Sequence, residues 1–317
     1  MTALAFDPEG KLGLPLVLGL KFGSVYGLVA LGLVLLYKSN GIFNFVQAEF
    51  GTVAAFVAAF GIKGDLFGIS WKMPWIVAVL IGIAFGTLTA VASELLVVRP
   101  LFRQPKVILV VGTVGVLLTA IAVENLVFPQ DGNVILPAVN DPQTGAVKSL
   151  KDPAVTVGFA NYKLSWFEIL PMVALVVMAL AAVAFFRYSR QGTAILAVSQ
   201  EPTAAQTVGI SIRRVSLLTW TLAGVLGSVA GIVAISGSWP FVPGILTGTA
   251  LLGGIAAAVL GGITSLPGAF LGGLVVGVLQ QIAQAFFTFP GAQNVLLGVV
   301  LLVVLLIRPA GLLGKST

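Results

Sequence analysis

The stretch VILVVGTVGVLLTAIAVENLVF, residues 107–128, holds a single ionisable side chain, Glu124. A helix of this composition is apolar all round and has no face for water. At 1.5 Å per residue it reaches about 33 Å, enough to cross the roughly 30 Å hydrocarbon core of a bilayer. Similar runs recur along the 317 residues, of which 58% are hydrophobic and 9% charged; an ordinary soluble domain carries about 25% charged residues. The pattern predicts an all-α polytopic membrane protein.

Nine apolar segments emerge, at about 13–37, 42–61, 74–98, 107–128, 166–186, 215–235, 245–263, 267–287 and 292–307. They predict one transmembrane domain over 1–317, a bundle of about nine helices (eight to ten). Whether 42–61 and 245–263 cross fully is open. All seven arginines (Arg99, Arg103, Arg187, Arg190, Arg213, Arg214, Arg308), with Lys38, Lys106 and Lys315, fall in connections on one face. Basic residues collect on the cytoplasmic side of membrane proteins, so the N-terminus is expected outside and the C-terminus inside. Asp7 and Glu9 precede the first apolar run and no short cleavage pattern follows, so the first span is expected to be retained. Two connections are long. Residues 129–165 are rich in Pro, Gly, Asn and Asp and read as an external loop. Residues 187–214 read as a cytoplasmic loop with short helices on either side of Pro202.

The chain has neither cysteine nor histidine, which removes disulfides, thiolate nucleophiles, imidazole bases and the usual metal ligands. A net charge of +6, in a membrane chain, reports cytoplasmic loops rather than nucleic acid. The ending GLLGKST (311–317) resembles part of a phosphate loop, but Pro309 stands where the first glycine belongs and no helix follows. No catalytic set and no metal site is expected. Glycines spaced by four, as in Gly19–Gly23–Gly27, Gly82–Gly86, Gly227–Gly231, Gly268–Gly272 and Gly273–Gly277, are expected to pack helices closely.

Ionisable groups at membrane depth are costly and need an account. Glu94 is expected to reach the headgroups or Arg99. Lys21 and Glu124 each lie near an outer end, so they either snorkel or pair. In SNGIFNFVQAEFG (39–51), Gln47 is 60° from Asn44 on a helical wheel and Glu49 is 140° from Asn44 on the other side. One regular helix cannot bury all three against one neighbour. Either protein surrounds the segment or its backbone is irregular, which membrane depth tolerates only under protein cover. A hydrogen-bond network among helices and a place in a translocation path both remain open for the three.

The run GLVLLYKSNGIFNFVQAEFG resembles the segment around the Asn-Phe-Ala-x-Gly-Glu motif of LivH-like permeases, the membrane subunits of branched-chain amino acid ATP-binding-cassette importers. Asn44, Phe45, Gln47 and Glu49 fall in that motif, with Val46 and Ala48 as departures. SRQGTAILAVSQEPTAAQTVGISIRRV is similar to the family's coupling loop, and AAAVLGGITSLPGAFLGGLVVGVLQ to its glycine-rich segment. The resemblance implies a non-catalytic subunit of the bacterial inner membrane, working by alternating access on branched-chain amino acids, or on urea or short amides. It implies two partner ATPase subunits that bind ATP and Mg, a second permease subunit and an extracytoplasmic solute-binding protein. It also assigns ATPase coupling to Gly192, Glu201, Ala204, Ala205 and Gly209, although the usual downstream Ile-x-Leu-Pro is missing. A freestanding channel or secondary transporter is the alternative from another class.

Overall fold

The computed structural model describes residues 12–64, 72–128, 139–140, 147–148, 153–157, 162–235, 242–287, 289, 291–308 and 311–314. The bundle opens with α1 (Gly13–Asn40) and α2 (Glu49–Lys63), the latter entered through a 3-10 turn (Phe45–Ala48). Helix α3 (Trp75–Ser93) continues through a π turn (Glu94–Val98) and one more turn (Arg99–Leu101). Helices α4 (Lys106–Val127) and α5 (Trp166–Tyr188) follow, then the short pair α6 (Arg190–Gln200) and α7 (Pro202–Thr207) and the long α8 (Ile212–Ile235). A second π turn (Thr247–Leu251) leads into α9 (Leu252–Gly261), and α10 (Leu266–Phe286) and α11 (Ala292–Ile307) complete the chain.

Seven of the nine expected segments form helices long and apolar enough to cross a membrane. The seventh and ninth do not reach that length: Thr247–Gly261 spans about 22 Å and Ala292–Ile307 about 24 Å at 1.5 Å per residue. The seventh is curtailed at both ends by glycines in the left-handed half of φ space, Gly244 at 71° and Gly262 at 108°, where a Cβ would be strained. The second segment, by contrast, is long and apolar enough to cross, over Phe45–Ile62. Most of the expected external loop and the Lys315–Thr317 tail lie outside the described residues. Within that loop, two short antiparallel hairpins pair β1 (Val139–Asn140) with β2 (Val147–Lys148) and β3 (Pro153–Val157) with β4 (Tyr162–Ser165).

Helix α1 is the axis of the bundle. Its most apolar window is 83% buried by protein, against 11% for α5 and 22% for α4, whose apolar faces are left for lipid. It packs along α10, α8, α9 and α5. Hydrophobic burial cannot drive this packing, because lipid tails are as apolar as the partner helix, so close backbone contact has to. The glycine stripes supply it. A Cβ on Gly23 would stand 2.7 Å from the Gly273 carbonyl and 2.9 Å from the Leu274 Cα, and Gly277 abuts Gly19 and Gly23 from the other side. Gly82 and Gly86 of α3 lie against α2 in the same way. Glu94 is fully buried and paired with Arg99, Nη2 to Oε2 at 3.1 Å. The intervening π turn carries this pair across five residues.

Filling the α1–α10 contact tests this account. Gly23→Val is expected to cost about 1 to 3 kcal/mol through overpacking and to lower the unfolding midpoint of the detergent-purified chain. Gly298→Val, where a Cβ meets nothing within 4 Å, should leave that midpoint unchanged.

Candidate functional site

The most unusual backbone in the bundle lies between α1 and α2. Helix α1 ends at Gly41, with φ 66° and its N–H bonded to the Tyr37 carbonyl at 2.8 Å. The chain is then extended at Asn44 (φ −100°, ψ 106°) before the 3-10 turn starts. The Asn44 side chain caps that turn, its Oδ1 accepting from the Val46 N–H at 3.2 Å, and the Phe45 N–H reaches Thr113 Oγ1 of α4 at 3.4 Å. Asn44, Gln47 and Glu49 are each fully buried. The irregular alternative posed by the sequence is therefore the one realised, with the polar side chains at the break buried under protein.

The break lets Gln47 and Glu49 face different neighbours. Gln47 enters a slot between α1 and α8 made by two glycines, Gly32 and Gly227; a side chain on either would collide with it. There its Nε2 donates to the Ala223 carbonyl at 2.9 Å, taking up an oxygen within α8. Glu49 instead accepts from the Thr247 hydroxyl, in the π turn before α9. It also lies within hydrogen-bonding reach of Glu124, near the end of α4. Glu124 accepts from the Gly244 N–H at 3.0 Å. Three separate stretches, α2, α4 and residues 244–247, thus converge on two carboxyls that are 0% and 1% exposed.

Hydrogen-bonding capacity is left over at this convergence. Asn44 Nδ2 and Gln47 Oε1 are buried with no hydrogen-bond partner among the described residues, while Thr52 and Glu124 both lie in reach of the Glu49 carboxyl. Unmatched buried polar groups are rare and costly in folded proteins, which singles out this region as the candidate site. One turn beyond Glu124, Phe128 stacks on Phe56 and Phe60, with ring centroids 4.5 and 5.3 Å away.

Glu124 is the participant that sequence reasoning paired with another residue. The structure brings it to Glu49, and among the described residues no ion pair joins it to Lys21. Lys21 is buried on α1, its Nζ 5.5 Å from the centroid of the Phe22 ring. Thr247 and Gly244 were not singled out by the sequence either, since a hydroxyl and a glycine carry no signal apart from the carboxyls they meet.

The connection 187–214 forms the α6–α7 pair, with Pro202 in the first turn of α7. Ser189 caps α6, its Oγ accepting from the Gly192 N–H at 2.8 Å. Gly192 itself lies against α5, where a Cβ would stand 2.8 Å from the Phe186 Cα. Ala205 is also turned inward, 4% exposed among Ile195, Val198 and Val215. Glu201, Ala204 and Gly209 are exposed, as is the apolar Val208 at 76%. Gly209 has φ 86° and ends the pair. Of the five positions assigned to coupling, three face outward and two hold the elbow together.

Known proteins align with this architecture over nearly its whole length. The chain is 28% identical over 313 residues to the high-affinity branched-chain amino acid transport system permease protein LivH of Salmonella typhimurium, covering 94% of each chain. It is 28% identical over 312 residues to the corresponding protein BraD of Pseudomonas aeruginosa, covering 95% of each. Among solved structures, PsaBC from Streptococcus pneumoniae in complex with Fab aligns over 92% of this chain and 91% of its own, at a TM-score of 0.48 and 13% identity, a likeness too distant to argue from. The family described as branched-chain amino acid transport system, permease component, matches residues 16–305. With a match of that extent over a multi-pass helical bundle, the chain belongs to that permease family.

Proposed function

We propose that the chain is the non-catalytic permease subunit of an ATP-driven importer in a bacterial inner membrane and that its solute is a branched-chain amino acid. The relatives named above support the solute class. In this reading all nine apolar segments lie within the membrane, the N-terminus is outside, and the arginine-bearing connections face the cytoplasm. A binding protein delivers solute at the outer face, a second permease subunit shares the pore, and two ATPase subunits with ATP and Mg dock below.

One observation carries the path. The residues Asn44, Gln47 and Glu49, joined by Glu124 and Thr52, put five buried polar side chains around the point where the α1–α2 connection is broken. Broken helices inside a transporter expose backbone and side-chain groups to a solute without exposing them to lipid. A zwitterion brings both ammonium donors and carboxylate acceptors, so it can satisfy Glu49 and Glu124 with one end and Asn44 with the other. Alternating access needs contacts that form and release, which a few polar groups in an apolar lining provide. On the cytoplasmic side the exposed Glu201, Ala204, Val208 and Gly209 form the surface for the ATPase. Gly192 and Ala205 keep the elbow rigid.

Calorimetry of the partner binding protein against branched-chain amino acids, urea and short amides tests the solute; heat from urea or an amide alone would overturn it. For the path, Glu49→Gln, Glu124→Gln and Asn44→Ala in the intact complex are each expected to reduce uptake into vesicles about tenfold, the loss of a contact worth roughly 1.4 kcal/mol. Normal uptake in all three would leave the cluster as scaffolding. For coupling, Ala204→Arg should release the ATPase subunits on copurification while the chain keeps its melting behaviour. Ala205→Arg should instead lower the melting midpoint, because it forces a charge into the packing under α7.

A further inference from the structure

We propose that the arginine-bearing end of the bundle holds an anionic phospholipid, its headgroup in a cavity between α1, α4, α6 and α10 and an acyl chain in the adjoining groove between α1, α5 and α10. The cavity measures about 1010 Å³. Lys38 at the end of α1 and Lys106 at the start of α4 line it, together with Asn40, Ser199, Gln200 and Ser265. No aspartate or glutamate is among its lining residues; Glu201 lies just beyond, exposed. The two lysines line the same cavity from different walls. Lys106 Nζ lies over Gly41, 2.8 Å from where a Cβ would be, and Lys38 Nζ is 6.0 Å from the Phe186 ring, which lines the same cavity. Cations with amide and hydroxyl donors around a roomy space suit a phosphodiester and the polar group it carries.

The second half of the argument is the groove. It measures about 200 Å³ and is lined by Leu31, Val176, Ala179, Leu180, Val183 and Phe270 with no charged residue. Val176, Leu180 and Val183 are 46, 65 and 47% exposed on the lipid side of α5. Leu266 and Pro267 line both spaces, so the basic cavity and the apolar groove meet at the start of α10. A soluble anion would use the cavity and ignore the groove. A molecule with a phosphate at one end and a hydrocarbon chain at the other fits both, at the depth where an inner-leaflet headgroup lies. Once bound it touches Gln200 and Pro202, where α6 passes into α7, and Lys38 to Gly41, which lead to the break. It would therefore brace the elbow against the ends of α1 and α10.

The test uses the full chain, purified with its copurifying partners from vesicles of phosphatidylglycerol and phosphatidylethanolamine in equal parts, and counts retained lipid by native mass spectrometry. Wild type should retain phosphatidylglycerol in preference. K38Q/K106Q should reduce that retention roughly fivefold or more, since each basic group contributes to anionic headgroup attraction, while K38R/K106R should keep it. A179W, which fills the groove and leaves both lysines in place, should lose it as well. Unchanged retention in K38Q/K106Q, or loss in A179W alone, would overturn the proposal. So would displacement of the lipid by millimolar glycerol 3-phosphate, which would mark a site for a free phosphate instead. A circular dichroism spectrum and melting curve for each variant separate lost binding from lost fold, and K38R/K106R decides the matter if A179W fails to fold.

Discussion

A bilayer offers a peptide group no hydrogen-bond partner, and that constraint governs where this chain can depart from a helix. Between Gly41 and Ala48 it departs completely. The departure is tolerated because α1, α4 and α8 enclose it, and because Gln47 is clasped between Gly32 and Gly227 and held by the Ala223 carbonyl. Take away the two glycines and there is no slot for the amide. The glycine contacts that draw α1 against α10 and α2 against α8 are therefore also what makes a polar interior affordable.

From that break, contacts run without interruption to the surface assigned to the ATPase. Ser39, at the end of α1, shares a hydrogen bond of 2.9 Å with Thr219 of α8. The α8 residue Val215, one turn before Thr219, packs with Ala205 of α7 and with Ile195 and Val198 of α6. Four residues beyond Thr219, Ala223 holds Gln47. Spatial continuity of this kind is not itself a measured coupling. It does identify α8 as the element that touches both the elbow and the polar cluster, so a tilt of α8 cannot leave Gln47 undisturbed.

Much of this was legible in the residues. Apolar runs located the helices to within a few positions, and glycines spaced by four marked surfaces of close packing without saying which helices they join. The angular conflict among Asn44, Gln47 and Glu49 pointed to an interrupted backbone. What escaped was depth. Lys21 and Glu124 look level when each is counted from a helix end, yet α4 ends beside Phe56 of α2, with Phe128 stacked on it, and this offset delivers Glu124 to Glu49. No one-dimensional pattern encodes the vertical offset of two helices. The orientation of Ala205 escaped for a related reason: in a six-residue helix, the buried face is chosen by what lies beneath, here Val198 and Val215, and the helix is too short to display a period.

The three stacked phenyl rings of Phe56, Phe60 and Phe128 have an electrical consequence. A sodium ion or a proton travels with water, and water leaves a constriction walled by aromatic carbon. A membrane that houses such an importer must keep its voltage while the carrier idles between deliveries. Closed on one another and buried, the three rings make this level of the bundle dry carbon, which an ion cannot enter without losing its hydration shell.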